Sequence, residues 1–298
     1  MGGGSGRKRK MRAGATILLM AANPIHRGIL RKVLERPLEL APGEIYRVSG
    51  GGREMLYAAF VVEQWLQSAP HGPLIFDSKE AESAVTALAE GWSASIVHML
   101  AREPLTFAEL EAAVGEVAIE ETGREELERL VSSMHASRQL EALPGGGEPI
   151  YVLTDWLRAG IAPLIASARL ERSNPMEGMS PIDELDVEAG FRMALALVEL
   201  PNQLSGSCRL GFNLDDSEGR AMTGVTAEID QGRAVACRPE LDIEADAWAA
   251  ASAADWLDTL IEPDTDKVRT GGDAWLTKAL VEGFHRTLFG IPLRAPEE

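Results

Sequence analysis

Hydrophobic positions between residues 91 and 170 recur at helical spacing, and helix-breaking residues separate the runs. Ile96, Val97 and Leu100 share one face of a predicted helix, because positions three and four apart lie together on a helix surface. Pro104 ends this helix, since proline cannot continue the backbone hydrogen bonding. The pattern therefore predicts a helix of about three turns at the start of this stretch.

Further helices and a hairpin follow in the same stretch. Thr106 stands three residues before Glu109, the spacing of a capping box that begins a helix. The next helical face carries three apolar residues, Leu127, Leu130 and Met134. A glycine turn at 144–147, a short apolar strand at 149–153 and a helix capped by Thr154 come next. The order of helix, helix, helix, hairpin and helix is that of a winged helix-turn-helix.

These residues resemble the HxlR-type branch of winged-helix transcriptional regulators. The likeness covers residues 91–170 and rests on Trp92 and Ile96, the run Pro104-Leu-Thr-Phe, the apolar face just described, and Tyr151-Val-Leu-Thr154. The resemblance implies binding of double-stranded DNA through the second helical run. Four residues there have suitable chemistry for contacts with DNA: Arg124, Ser132, Ser133 and Arg138.

The module is predicted to occur twice. The apolar pattern repeats from about residue 22, and Tyr46-Arg-Val-Ser49 parallels the strand and cap at 151–154. Pro37 and Tyr46 are 9 positions apart, whereas Pro104 and Tyr151 are 47 apart, so the first copy is 38 residues shorter. The missing part includes the recognition helix. Two modules in one chain predict either a monomer with pseudo-two-fold symmetry or a homodimer.

Apolar residues at Phe191, Leu195 and Leu197 predict a helix at 187–199, which Pro201 ends. After this helix the hydrophobic pattern changes to period two. Alternating apolar residues predict two strands: Cys208, Leu210, Phe212 and Leu214, then Val225, Ala227 and Ile229. A turn at 230–233 leads to a third strand at 234–238, and a fourth is expected at 247–250. Ser252 with Asp255 and, further on, Asp273 are predicted helix caps, with a short strand at 267–270 between the two helices.

Two stretches of the sheet region resemble sterol-carrier-protein-like lipid-binding domains. They are Asp-Ala-Trp-Ala-Ala-Ala-Ser-Ala-Ala-Asp-Trp-Leu at 246–257 and Val-Arg-Thr-Gly-Gly-Asp at 268–273. The resemblance implies a hydrophobic tunnel that binds a small apolar ligand. It would be lined by eight residues: Phe212, Trp248, Trp256, Leu257, Leu260, Trp275, Leu280 and Phe284. Ordinary core packing of the same side chains is the alternative.

Charge limits where DNA could bind. The formal net charge is −17, yet residues 1–70 carry 11 Lys and Arg against 5 Asp and Glu. A flexible basic arm at 1–12 contains Arg7, Lys8, Arg9 and Lys10, a cluster that suits phosphates if it has a role. The predicted recognition helix at 119–133 instead contains five glutamates and two arginines. Weak or absent DNA binding is therefore the alternative.

The sequence favours no catalytic or metal chemistry. The five histidines are scattered, His98 being interpreted as a packing residue inside a helix, and Cys208 and Cys237 lack metal-ligand spacing. Free thiols, and the lack of an apolar run of about 18 residues, predict a cytoplasmic protein without a membrane span. We expect no enzyme activity, no cofactor and no metal.

Together these patterns predict an α+β protein with tandem winged helix-turn-helix modules followed by a sterol-carrier-like α/β sandwich. The predicted parts are the arm at 1–12, a truncated module at 13–70, a linker at 71–90, a fuller module at 91–177 and a ligand-binding domain at 178–298. The expected function is a DNA-binding transcriptional regulator that senses a small apolar ligand. The alternative is an apolar-ligand carrier or protein-interaction module with degenerate winged helices.

Overall fold

The protein has a mixed α+β fold. The computed structural model describes residues 50–75, 78–89, 91–117, 123–173, 184–215, 220–242, 244–263 and 265–290. The predicted basic arm and residues 13–49 of the predicted first module lie outside the described residues, as do Glu120 and Glu121. None of the helices in the described ranges is long and apolar enough to span a membrane.

The first half of the described chain is mainly helical. Its elements are α1 Gly50–Gln67, α2 Lys79–Ala89, α3 Gly91–Arg102, β1 Leu105–Thr106, α4 Phe107–Val117, α5 Arg124–Ala136, β2 Leu140–Leu143, β3 Ile150–Leu153, α6 Asp155–Ala159 and α7 Ile161–Ser173. The three strands form a small antiparallel sheet in the order β1-β3-β2. We call this part, residues 50–173, the helical half.

Local sequence explains why these elements begin and end where they do. The Thr106 hydroxyl donates to Glu109 Oε2 at 2.8 Å, and the Thr106 backbone N–H donates to the same oxygen at 2.8 Å. Thr154 accepts from the backbone N–H of Leu157 at 3.2 Å and so caps α6. A Cβ at Gly145 would lie 2.2 Å from the Glu148 carbonyl oxygen, so the hairpin turn needs glycine there. Both predicted caps are confirmed.

The capping box also fixes the titration of Glu109. Hydrogen bonds from the backbone N–H and then the hydroxyl of Thr106 lower the pKa of this carboxyl group. A lowered folded-state pKa means that the box stabilises the fold above the ordinary glutamate value, and the stabilisation is lost as pH falls through the lowered pKa. We expect Thr106→Ala to raise the pKa of Glu109 toward its ordinary value, as followed by carbon-13 NMR titration. An unchanged pKa would show that the hydroxyl plays no part.

The second half of the described chain is built on a sheet. Its elements are α8 Glu184–Leu195, β4 Gly206–Asp215, β5 Arg220–Asp230, β6 Arg233–Arg238, β7 Ala247–Ser252, α9 Ala253–Ile261, a short 3-10 helix Thr265–Lys267, β8 Arg269–Gly272 and α10 Ala274–Phe289. The strand order is β6-β5-β4-β7-β8, and β4 with β7 is the parallel pair. We call this part, residues 184–290, the sheet half.

The predicted alternation and caps of the sheet half are confirmed where the structure describes the side chains. Cys208, Leu210 and Phe212 are buried on one face of β4. Ser252 and Asp273 cap α9 and α10. Gln231 and Gly232 both have positive φ, as a tight two-residue hairpin turn requires.

Two predicted boundaries in the sheet half are wrong. The strand expected at 267–270 begins at Arg269 and reaches Gly272, because Thr265–Lys267 forms a helical turn that buries Val268. The helix expected at 187–199 ends at Leu195. Residues beyond it turn toward the sheet, where the Leu200 backbone N–H donates to the Gly232 carbonyl at 2.8 Å.

The segment predicted as a linker, 71–90, contains α2, which takes part in the core. Ala81, Ala84, Val85 and Leu88 are buried along one face of this helix. Their spacing is that of one helix face. The helix begins here because the Ser78 hydroxyl oxygen accepts a hydrogen bond from the Ala81 backbone N–H and so caps the first turn. One continuous apolar core joins the helical half to the sheet half.

A pair of tryptophans packs α1 against α6. The Trp65 and Trp156 rings stack with centroids 5.1 Å apart and planes 13° from parallel. Trp65 Nε1 donates to the Trp156 carbonyl at 2.7 Å, and Trp156 Nε1 donates to the Trp65 carbonyl at 3.0 Å. Each indole therefore buries its rings while its N–H keeps a partner, which offsets the cost of burying a polar group.

Candidate apolar cavity and candidate nucleic-acid interface

A cavity of about 150 Å³ lies between the helical half and the sheet half. Its lining is almost entirely aliphatic and aromatic. Helices of the helical half contribute Leu88, Ala94, Val97, His98, Ile161, Leu164, Ile165 and Ala168. The start of the sheet half contributes Val187, Ala189, Gly190, Phe191, Met193 and Ala194 from α8, and the remaining lining residues are Phe212, Trp256, Leu257, Leu260 and Phe284.

Aromatic side chains build one wall of the cavity. The Phe191 ring meets the Trp256 ring edge to face, with centroids 5.5 Å apart and an interplanar angle of 78°. The Phe284 ring lies 6.3 Å from the Phe191 ring on another side. Trp256 Nε1 donates to the Gly211 carbonyl at 2.7 Å, so its polar group is directed into the sheet backbone. The wall therefore presents apolar ring surface to the cavity.

Small residues on α8 leave the space open. Ala189, Gly190 and Ala194 carry little or no side chain at positions that face the cavity. Gly190 lies close to Ile161, since a Cβ added there would be 3.4 Å from its Cδ1 atom. Larger side chains at these positions would project into the space that remains.

The structure brings five of the eight predicted ligand residues to this cavity: Phe212, Trp256, Leu257, Leu260 and Phe284. It places the other three elsewhere. Leu280 is fully buried in the core. Trp248 neighbours Arg209, whose guanidinium lies 5.9 Å from the ring centroid, and it alternates with Ala247 and Ala249, which are buried on the other face of β7. Trp275, in the first turn of α10, is 53% exposed.

Sequence reasoning missed the part of the lining that lies before Phe212, which includes all the lining residues of α8. A local signal existed in α7, because Ile161, Leu164, Ile165 and Ala168 form a regular helical stripe. His98, interpreted from the sequence as a packing residue, also lines the cavity. The prediction confined the cavity to the C-terminal domain, whereas it lies between the two halves.

A charged cluster joins the two halves beside the cavity. Glu188 Oε1 on α8 lies 3.1 Å from Arg102 Nε on α3 and 2.9 Å from Arg192 Nε. The Glu188 side chain is 9% exposed and that of Arg192 is 12% exposed. The Arg192 Nε contact is electrostatic because its N–H is not aligned for a hydrogen bond, but Arg192 Nη1 donates to the Arg102 carbonyl at 2.7 Å. The cluster therefore ties α3 to α8.

The predicted DNA contacts are spread along α5 and beyond its end. Arg124 pairs with Glu111 at 2.6 Å and Glu128 at 3.1 Å, and its guanidinium lies 5.0 Å from the Phe107 ring centroid. Arg138 is exposed and follows the end of the helix with a positive φ of 57°. Since a helix rises 1.5 Å per residue, Arg124 and Arg138 are roughly 20 Å apart.

The exposed surface of α5 is acidic. Glu125, Glu126 and Glu128 are exposed, and Arg129 is 3.3 Å from Glu126. Ser132 and Ser133 are exposed on the same helix. The remaining predicted DNA contacts, Arg7, Lys8, Arg9 and Lys10, lie outside the described residues. Carboxylates on a surface that approaches phosphates oppose binding.

Within the described ranges of the chain, no group of three or more His, Cys, Asp or Glu side chains could hold a metal ion. Cys208 and Cys237 are free thiols. Burial raises the pKa of Cys208 to about 12 and that of Cys237 to about 11. Both sulfurs are thus protonated near neutral pH and poorly nucleophilic.

The arrangement at the cavity suits reversible binding of an apolar molecule. Its walls provide close apolar contacts, and His98 is the one ionisable side chain among the described residues that line it. No protein-family model matches this chain, and neither the curated proteins nor the solved structures contain a match to it.

Proposed function

We propose that this protein is a DNA-binding transcriptional regulator that responds to a small apolar ligand held between its two halves. The observation that carries this proposal is the shared lining of the cavity. Helix α3 supplies Val97 from one side, and α9 supplies Trp256 from the other. A ligand that contacts both sides favours one arrangement of the halves, which is the physical requirement for a sensor.

The element order of the helical half supports the DNA-binding part of the proposal. Helix α3, strand β1, helices α4 and α5 and the hairpin β2–β3 follow one another as in the winged-helix regulators of the HxlR type. In that interpretation α5 is the recognition helix, residues 144–149 are the wing, and the sheet half is the sterol-carrier-like sensor. We propose accordingly that the regulator is cytoplasmic and has no enzyme activity.

A second candidate function is an apolar-ligand carrier whose helical half makes protein contacts. The acidic surface of α5 favours it, and so does the pairing of Arg124 with two glutamates of its own chain. Both candidates require the cavity to bind a ligand. They differ in whether the full chain binds duplex DNA.

Binding of the full chain to random duplex DNA at about 50 and 200 mM salt, followed by fluorescence anisotropy, separates the two candidates. The regulator proposal predicts binding that weakens steeply with salt. A chain beginning at Met11 measures what the basic arm contributes. No binding at the lower salt concentration would reject the regulator and leave the carrier.

Arg138→Ala tests the contact surface itself. We expect it to weaken DNA binding several-fold and to reduce the salt slope by about 1, as loss of one phosphate contact does. Arg124→Ala is expected to have the smaller effect, because Glu111 and Glu128 already neutralise that side chain. The matched control is Arg269→Ala, an exposed arginine on β8. Equal affinities for Arg138→Ala and the control would remove Arg138 from the interface.

A further inference from the structure

We propose that the interface between the two halves opens at α7 and α9 while α3 and α8 stay together as its hinge. This inference goes beyond the proposed function, because it concerns the protein without a ligand. These two helix pairs pack together more extensively than any other described pair that joins the halves, and both line the cavity. The ion clusters that join the two pairs differ in burial, and that difference carries the inference.

The cluster between α3 and α8 is costly to break. Glu188 and Arg192 are both largely buried, and Arg192 also donates to the Arg102 carbonyl at the end of α3. Separating the two helices would take the Arg102 guanidinium away from Glu188 and would break the hydrogen bond from Arg192. Removing a partner from a buried ion is strongly unfavourable, because the remaining charge is left uncompensated. We therefore assign α3 and α8 to the edge that stays closed.

The cluster between α7 and α9 is more exposed. Arg169 Nε lies 3.1 Å from Asp258 Oδ1, and Arg169 Nη2 lies 2.8 Å from Glu262 Oε1. The side chains of Asp258 and Glu262 are 33% and 73% exposed. Ion pairs that water reaches contribute little to stability, because water solvates the separated charges.

Lys267 lowers the cost of opening at this edge. Its Nζ lies 2.9 Å from Asp258 Oδ2, and both residues belong to the sheet half. Asp258 therefore keeps a cationic partner when Arg169 moves away with the helical half. Opening between α7 and α9 leaves this carboxylate paired, whereas opening between α3 and α8 would disrupt a buried cluster.

Opening at α7 and α9 exposes the cavity. The apolar stripe of α7 lines the same space as Leu257 and Leu260 of α9. Side chains that border a space lack the close contacts of a packed interface, so less packing has to be broken there. In the proposed sensor, a ligand that contacts both helices would oppose this opening.

Labelling of introduced cysteines in the full chain measures the opening. Leu257→Cys, at a cavity-lining position of α9, reports the α7–α9 edge. Ala101→Cys, at a buried position of α3 outside the cavity lining, reports the hinge. The reagent is a maleimide coupled to a long polyethylene glycol chain. Mass spectrometry assigns the label to each cysteine, and the buried Cys208 of β4 reports global unfolding.

Arg169→Gln should speed the labelling of Leu257→Cys about fivefold, the size expected for the loss of a solvent-accessible ion pair. The labelling of Ala101→Cys should stay unchanged, because the Glu188 cluster is intact. Arg169→Lys, which keeps the charge, should retain part of the protection. The matched control is Arg233→Gln, which removes an exposed pair with Glu199 inside the sheet half and should alter neither rate.

Two results would overturn the inference. Equal acceleration at positions 101 and 257, with Cys208 unlabelled, would show that the halves separate as a whole without a hinge. An unchanged rate for Leu257→Cys would show that Arg169 does not hold this edge. If Arg169→Gln unfolds the chain and Cys208 is labelled, Glu262→Gln repeats the test by removing only the more exposed contact, with the same two readings. The proposed ligand site is judged separately, since no ligand is present in these measurements.

Discussion

Replacing Trp65 with alanine is expected to lower the free energy of unfolding by about 4 kcal/mol, the largest loss that we predict for a single side chain. The indole is 4% exposed and stacks on Trp156. Its removal leaves a large cavity between α1 and α6 and takes away the donor that meets the Trp156 carbonyl. Because small proteins are stable by about 5–15 kcal/mol, this loss is a large fraction of the total stability.

Urea denaturation followed by circular dichroism measures this loss. Trp65→Phe keeps a ring in the stack but lacks the N–H, so we expect it to cost about 2 kcal/mol. Trp275→Ala is the matched control, since Trp275 is 53% exposed, and it should change the free energy of unfolding by less than about 0.5 kcal/mol. A loss below about 1 kcal/mol for Trp65→Ala would contradict the role of the tryptophan pair.

Glu188→Gln is expected to destabilise the protein by about 3 kcal/mol, because removing one partner of a buried ion pair leaves the other charge uncompensated. Arg192 would be the charge left behind, and its side chain is 12% exposed. Arg102 on α3 would keep only a neutral hydrogen bond to α8 in place of its charge-assisted one. The substitution keeps the size of the side chain, so the loss reports the charge and not the packing.

The matched control for Glu188 is Glu199→Gln. Glu199 pairs with Arg233 at 3.0 Å, but both side chains are exposed, at 77% and 75%. Exposed pairs contribute about 0–1 kcal/mol, so this variant should remain close to the unchanged protein. Similar denaturation midpoints for the two variants would show that the Glu188 cluster does not hold α3 and α8 together.

Local signals predicted the starts of the capped helices and the strands β4 and β5. The capping boxes at Thr106 and Ser252 depend on residues three positions apart, and the strands at β4 and β5 on alternation within about ten residues. These interactions are complete within one short segment of chain, so its sequence contains all that determines them. The mixed α+β class followed from the same signals.

The cavity could be predicted only in part, because its walls come from distant segments. Trp256 and Phe284 were expected to line a tunnel because the sterol-carrier resemblance implies it, but nothing in the sequence of their helices indicates that Val97 lies opposite. Trp248 was misplaced for a related reason. Ala247 and Ala249 are too small to show from the sequence which face of β7 is buried. In the assembled sheet both are buried, and because side chains alternate along a strand, Trp248 lies on the other face.

The contact between Trp65 and Trp156 spans 91 residues of chain. At a synthesis rate of about 5–20 residues per second, the ribosome adds those 91 residues in roughly 5–18 s. During that interval α1 has been synthesised but Trp156 has not. The apolar face of α1 is therefore exposed on the nascent chain, where it can aggregate or bind chaperones. The helix made first among the described elements thus completes its packing only after Trp156 has been synthesised.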